Sequence, residues 1–153
     1  MKTRKATKKD LEAILELSDL MMKFHTSLDP YYDIYTKYED SREYYKAQLD
    51  KKDTLYVVTE NENKEIVAFA SAYIISMPKT RAPKIGVLVT NFVKKAYRNK
   101  GVGTEQFNYR MNWFKKHGVK YVEMNVDARN KNVLALWKKF GFKNYQVKLK
   151  MDL

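Results

Sequence analysis

Arg98-Asn99-Lys100-Gly101-Val102-Gly103 stands between the run Val87-Leu88-Val89-Thr90-Asn91-Phe92-Val93 and a longer segment from Thr104 to Gly118. The first flank is apolar and rich in β-branched residues, which predicts a strand. The second carries Phe107, Met111 and Phe114 at helical spacing, with Gly118 as a stop signal. A strand, a glycine-bearing turn and a helix in that order can aim several backbone N–H groups and a helix N-terminus at a phosphate. Thr104, the first residue past the hexapeptide, belongs to the same turn of helix.

Working outward, residues 2–6 predict a short first strand, and Thr7 an N-cap for a helix running to about residue 24 on the apolar face Leu11, Ile14, Leu15 and Leu17. An aromatic, irregular stretch turns around Asp29-Pro30. Asp40 with Glu43 resembles a capping box for a second helix over 41–50. TLYVVTE, 54–60, predicts a strand, Asn61 to Lys64 a hairpin turn, and EIVAFASAYIIS, 65–76, a central strand buried on both faces. KIGVLVTNFV, 84–93, is the next strand. KYVEMNVDA follows the glycine-turn helix as another strand, NVLALWKKFGF as a short amphipathic helix, and YQVKLKMDL as a half-buried final strand. The predicted order is β-α-α-β-β-β-α-β-α-β: a mixed α/β (α+β) sheet with helices on its faces, antiparallel through the middle strands and parallel across the late strand–helix–strand unit. Residues 1–153 read as a single domain.

Zero cysteines exclude disulfides, thiolate metal sites and a cysteine nucleophile, and His25 and His117 are too few for a histidine-based metal centre, so no metal is expected. No apolar run approaches a membrane span, and the start MKTRKATKKD lacks an apolar signal core, so the expected compartment is the cytoplasm. The net charge of +12 is unevenly placed: residues 1–66 carry −2 and residues 67–153 carry +14. The excess therefore sits in the half holding the glycine turn, which points to a polyanionic partner there, a phosphorylated cofactor or nucleic acid.

With those residues in view, the segment from Val87 to Phe142 resembles the GCN5-related N-acetyltransferases. Their cofactor loop follows Arg/Gln-x-x-Gly-x-Gly/Ala, here Arg98 to Gly103. Asn130 to Phe142 resembles their Asn-x-x-Ala-x-x-Leu-Tyr-x-Lys-x-Gly-Phe. The resemblance implies the acyl-CoA N-acyltransferase fold, acetyl-CoA as donor and a primary amine as acceptor. It implies that the amides of Arg98, Asn99, Lys100, Gly101, Val102, Gly103 and Thr104 hold the pyrophosphate. It further implies that Phe92 and Val93 pair with the pantetheine arm, and that Asn130 contacts that arm.

Two positions depart from the family's pattern. Where members often carry a proton-donating Tyr, this chain has Trp137, whose indole N–H cannot supply a proton at neutral pH. KIGVLVTNFV also lacks the Glu that many members place there. Glu123, Asp127 and His25 are the remaining candidates for a base acting through water. Each has a plainer reading, the two acids as a solvated strand face and His25 as a helix-end residue. Trp137 reads as core packing.

The leading reading is direct aminolysis of a thioester by a cationic amine, whether a small molecule, a lysine side chain or a peptide N-terminus. The acidic first half (Asp29, Asp33, Glu39, Asp40, Glu43) suits such an acceptor. Tyr31, Tyr32, Tyr35 and Tyr38 fit a pocket wall and a covered sheet edge equally well. The two competing readings are an acetyl-CoA-binding sensor or scaffold without turnover, and a basic nucleic-acid-binding protein. Nucleic acid is the disfavoured partner, because Tyr97, Tyr109, Trp113 and Tyr121 fall on elements that must bury a core. The apolar last strand is suited to pair across a homodimer.

Overall fold

The computed structural model describes residues 1–28 and 38–151. The Asp29-Pro30 turn, Tyr31, Tyr32, Tyr35 and the side chain of Tyr38 lie outside the described residues. The elements are β1 Lys2–Lys5, α1 Leu11–Leu28, α2 Tyr38–Leu49, β2 Thr54–Glu60, β3 Ile66–Ser76, β4 Lys84–Val93, α3 Val102–Lys116, β5 Tyr121–Met124 and α4 Lys131–Lys139. They form one five-stranded sheet in sequence order, antiparallel from β1 to β4 and parallel between β4 and β5.

Each sheet face has its own helices. Tyr56, Val58, Phe69 and Phe92 share one face, where Ile14 and Leu17 of α1 pack with Met21, Tyr45 and Leu49. Ala72 and Leu88 lie on the other, against Phe114 of α3 and Trp137 of α4. On that second face Gly86 touches the Phe114 ring so closely that an added Cβ would sit 2.6 Å from it. Gly86→Ala is therefore expected to destabilise the fold by about 1–3 kcal/mol through overpacking. In urea unfolding, Phe114→Leu placed beside it should recover much of that loss, whereas independent sites would give additive losses.

The chain enters α1 through a turn fixed by charge. The Asp10 carboxylate accepts from Arg4 at 2.7 and 2.8 Å, from the Thr7 N–H at 2.7 Å and from the Thr7 hydroxyl at 3.0 Å. The Arg4 guanidinium, more than any other neighbour, holds Asp10 below the usual carboxylate range. A carboxyl whose folded pKa is depressed stabilises the fold above its unfolded value of about 4 and loses that contribution as pH falls through the folded value. Asp10→Asn should thus unfold more easily than the wild type at neutral pH, by about 1–3 kcal/mol. The difference should shrink as the pH of the unfolding assay is lowered below about 4. A gap that is constant with pH would mean that the carboxylate charge is not what holds the turn.

Several expectations change. The helix expected over 41–50 begins at Tyr38, so Asp40 stands inside α2 and is not its N-cap. β3 is buried on both faces only from Val67 to Ala72, and its distal end, Tyr73 to Ser76, is largely exposed. The expected final strand is not formed. Residues 143–151 make no strand pairing, and Tyr145, Val147, Leu149 and Met151 are 79, 84, 88 and 78 % exposed. Alternation specifies a strand only where a neighbouring edge receives it, and here the segment lies free of its own sheet. β5 is correspondingly short, Tyr121–Met124, and its second edge has no partner among the described residues.

Candidate active site

β4 and β5 are paired only from Ile85 to Leu88 on one strand and from Tyr121 to Met124 on the other. Beyond Leu88, β4 runs on to Val93 with no neighbour on that side among the described residues. The register between β3 and β4 shifts at the same place, between Ala70 and Ala72, forming a bulge. The Lys94 N–H donates to Val67 of β3 at 2.9 Å. By the alternation of an antiparallel ladder, the Val93 and Asn91 amides point away from β3 into the gap, and that of Phe92 points toward β3. Phe92 is nearly buried, with its ring in the α1 core.

The bulge is held by a buried cation. Arg110 of α3 is 0 % exposed. Its guanidinium donates to the Thr90 carbonyl at 3.1 Å, the Ser71 carbonyl at 3.4 Å and Asn91 Oδ1 at 2.7 Å. The Ser71 hydroxyl accepts from the Thr90 N–H at 3.3 Å. Burial pushes Arg110 down to about 9, so it remains charged at neutral pH. No sequence pattern singled this residue out.

Past Val93 the chain makes one short turn of 3-10 helix and enters the glycine loop. Asn99 at φ 60° and Gly101 at φ 81° both occupy the left-handed region, and Gly101 caps α3 without any side-chain hydrogen bond. The first helical bond runs from the Glu105 N–H to the Gly101 carbonyl at 3.0 Å. The amides of Val102, Gly103 and Thr104 therefore have no intrahelical acceptor and point out of the helix end. Around them Arg98 donates to the Val93 carbonyl at 3.0 Å and lies over the Phe92 ring, and Lys100 lies over Tyr97.

Pyrophosphate fits this loop on two observations. Gly103 has an ordinary φ, and a Cβ built on it or on Gly101 meets nothing within 4 Å. In the first turn of a helix Gly is about 1 kcal/mol poorer than Ala, so packing within the chain does not account for Gly103. The space over it leaves the backbone open to an anion. The uncapped amides supply the donors such an anion needs.

The remaining candidates are placed as follows. Asn130 Oδ1 caps α4 by accepting the Val133 N–H at 3.3 Å. Trp137 is buried in the core of α3 and α4, with its ring beside Phe107, Phe140 and Phe142. Glu123 pairs in register with Val87, which pairs with Tyr73, so it lies on the sheet face opposite Phe114. Asp127 accepts from the Arg129 side chain at 2.6 and 2.9 Å and from its N–H at 2.9 Å; these bonds hold it at about 2. His25, at the end of α1, is near enough for its charge to act on Asp127. Trp113 packs at a tilt against the rings of Phe114 and His117 and so is engaged with its own helix.

A strand that parts from its neighbour, a bulge at the parting and an open helix N-terminus thus stand together on one side of the sheet. The chain belongs to the acetyltransferase (GNAT) family, whose model matches residues 15–142. It is 30% identical over 146 residues to an uncharacterized N-acetyltransferase of Methanocaldococcus jannaschii. That match takes in 94% of this chain and spans 61% of the relative's length. Among solved structures, a tetramutant protein from Bacillus halodurans superposes over 100% of both chains, with a TM-score of 0.89 at 17% identity. An aminoglycoside 6'-N-acetyltransferase from Acinetobacter haemolyticus gives a TM-score of 0.79 at 17% identity, over 100% of this chain and 98% of its own. Among the described residues no helix is long and apolar enough to cross a membrane.

Proposed function

We propose that the protein transfers the acetyl group of acetyl-CoA to a primary amine. The observation that carries this reading is the uncapped start of α3, reached through two left-handed residues and standing beside the free edge of β4. The donor supplies a thioester already activated toward amines. The amides of Val102, Gly103 and Thr104 bind its pyrophosphate, with Arg98 and Lys100 adding charge. The Val93 and Asn91 amides orient the pantetheine arm and oppose the negative charge that gathers on the carbonyl oxygen during attack. A C–N bond forms, the C–S bond breaks, the amine loses one proton to a base and the departing sulfur is left as thiolate or takes a proton from water.

Asp127, held at about 2 by Arg129, is too weak a base to take that proton. His25, whose charge reaches Asp127, carries an imidazole suited to take a proton through water. Trp137 leaves protonation of the sulfur to solvent. The net charge of −2 on residues 1–66 supports a cationic amine as acceptor.

Calorimetric titration with acetyl-CoA, then with acetyl-CoA and a panel of polyamines, aminoglycosides and lysine peptides, tests the reading. Saturable micromolar binding, with free thiol released in the presence of one class of amine, is the expected result. No binding would remove the donor assignment. Binding without turnover on every amine would leave the sensor reading in its place.

A further inference from the structure

One patch of the sheet belongs to neither core. Tyr73, Val87 and Glu123 stand side by side across β3, β4 and β5, and Ile75, Ile85 and Tyr121 form the next row. All of these side chains lie on the face opposite Phe114. None of the apolar ones joins the cluster around Phe69 or the one around Trp137. Tyr73, Ile75 and Tyr121 are 38, 39 and 62 % exposed, and Ile85, Val87 and Glu123 are half-buried. Apolar residues exposed singly are ordinary, but adjoining ones on a single sheet face mark a binding surface.

The patch adjoins the place where β4 and β5 part. Their last pair is Leu88 with Met124, one residue beyond Val87 and Glu123. On the other face that end of the sheet is filled by α3 and α4, with Phe114 and Trp137 buried against Ala72 and Leu88. A molecule that reaches the gap from the uncovered face lies on the patch. Strands about 4.8 Å apart and rows about 7 Å apart make it roughly 10 by 7 Å, the footprint of one or two fused rings.

Charge narrows what can lie there. Glu123 is the one acid in residues 66–93 and 118–126, which also hold Lys79, Arg81, Lys84 and Lys120. No hydrogen bond or ion pair engages Glu123 among the described residues, whereas Asp127, four residues on, is taken up by Arg129. A half-buried carboxylate set among apolar side chains is costly unless a cation meets it. One ammonium satisfies it. A second or third on the same ligand would enter a stretch of chain whose other charges are positive, which works against polyamines and aminoglycosides. We propose, resting on the acetyl-transfer reading above, that the acceptor is a monoamine with a flat apolar body, an arylalkylamine being the simplest case. Its ammonium is held by Glu123, and its body lies on Tyr73, Val87 and Tyr121. The amine arrives as the ammonium and gives up its proton in the transfer step already described.

The test reads binding and turnover separately on the full chain. Amide proton–nitrogen spectra are recorded with CoA present, so that no transfer occurs. Phenethylamine should shift the amides of Tyr73, Val87, Glu123 and Tyr121. It should saturate at a concentration about tenfold below that of propylamine, which has the same charge and no ring, or of spermidine. Glu123→Gln keeps the shape and should weaken phenethylamine by about ten- to a hundredfold. Tyr121→Asp, at an exposed position, should turn the preference toward spermidine with the urea midpoint unchanged. With acetyl-CoA in place of CoA, release of free thiol should rank the three amines in the same order. No shift at those amides, equal or tighter saturation by propylamine or spermidine, or a Glu123→Gln variant that binds normally overturns the proposal. Shifts in the expected order without thiol release leave the amine site standing and remove the transfer activity. Thiol release that prefers spermidine does the reverse.

Discussion

Replacing Arg110 with alanine is expected to destabilise the protein by about 3–5 kcal/mol, more than any surface change in the chain. Two effects compete at this position. An uncompensated cation in the interior is itself costly, as its lowered pKa of about 9 shows, and its removal relieves that cost. Against this, the Ser71 and Thr90 carbonyls and Asn91 Oδ1 lose a charged donor, at about 1–3 kcal/mol for each acceptor left buried without a partner. Alanine also leaves the volume of a fully buried long side chain empty. The lost donors and the cavity outweigh the relieved charge.

Methionine separates these contributions. It fills most of the space and removes the charge but supplies no donor, so Arg110→Met should lose only about 2 kcal/mol. Lysine keeps the charge and one point of donation but not the planar fork, and should fall near methionine. Urea unfolding with m-values compared across the three variants reads the order. Equal losses for alanine and methionine would mean that the cavity contributes nothing. A stabilised methionine variant would mean that the guanidinium is a net burden and that the bulge needs no clamp.

Arg110 also shows where sequence patterns stop being informative. Its helix was legible from Phe107, Met111 and Phe114 at helical spacing, and the observed α3, Val102–Lys116, begins and ends where those signals placed it. The buried row is nevertheless Val102, Gln106, Arg110 and Phe114, each four residues apart. Phe107 and Met111 lie on the neighbouring stripe toward α4. A polar pair at i and i+4 reads as solvent-facing unless one knows that a bulge on the next strand presents carbonyls to it. The shift at Ala70 and Ala72 leaves no such mark in a run of small and β-branched residues. Local signals such as the glycine turn and the Asn61 hairpin were readable because each depends on neighbours in the chain, whereas Asn130, singled out only by the family resemblance, turned out to cap α4. The last strand failed in the opposite direction: its alternation was visible, but its partner edge was not.

Gly103→Val is expected to separate binding from stability. The position lies in the first turn of α3 with ordinary backbone angles, and a Cβ there touches nothing. Valine is a modestly better helix residue than glycine, so the unfolding free energy should stay within about 0.5 kcal/mol of the wild type or rise slightly. Under the proposed acetyl-CoA activity, the branched side chain stands where the pyrophosphate must approach the amides of Val102, Gly103 and Thr104. Losing one or two charge-assisted backbone hydrogen bonds at about 1.5–3 kcal/mol each predicts an affinity for acetyl-CoA lower by about a hundredfold. Lys100→Ala, which removes a charge at the exposed rim but leaves the amides accessible, should cost less and should lose its effect as salt is raised. The discriminating measurement is calorimetric Kd alongside the urea midpoint for each variant. A valine variant that binds normally would show that the space over Gly103 is not the anion site. One that loses binding and stability in parallel would make the glycine a structural requirement of α3. Only weakened binding on an intact fold identifies the open end of α3 as the place where the donor is held.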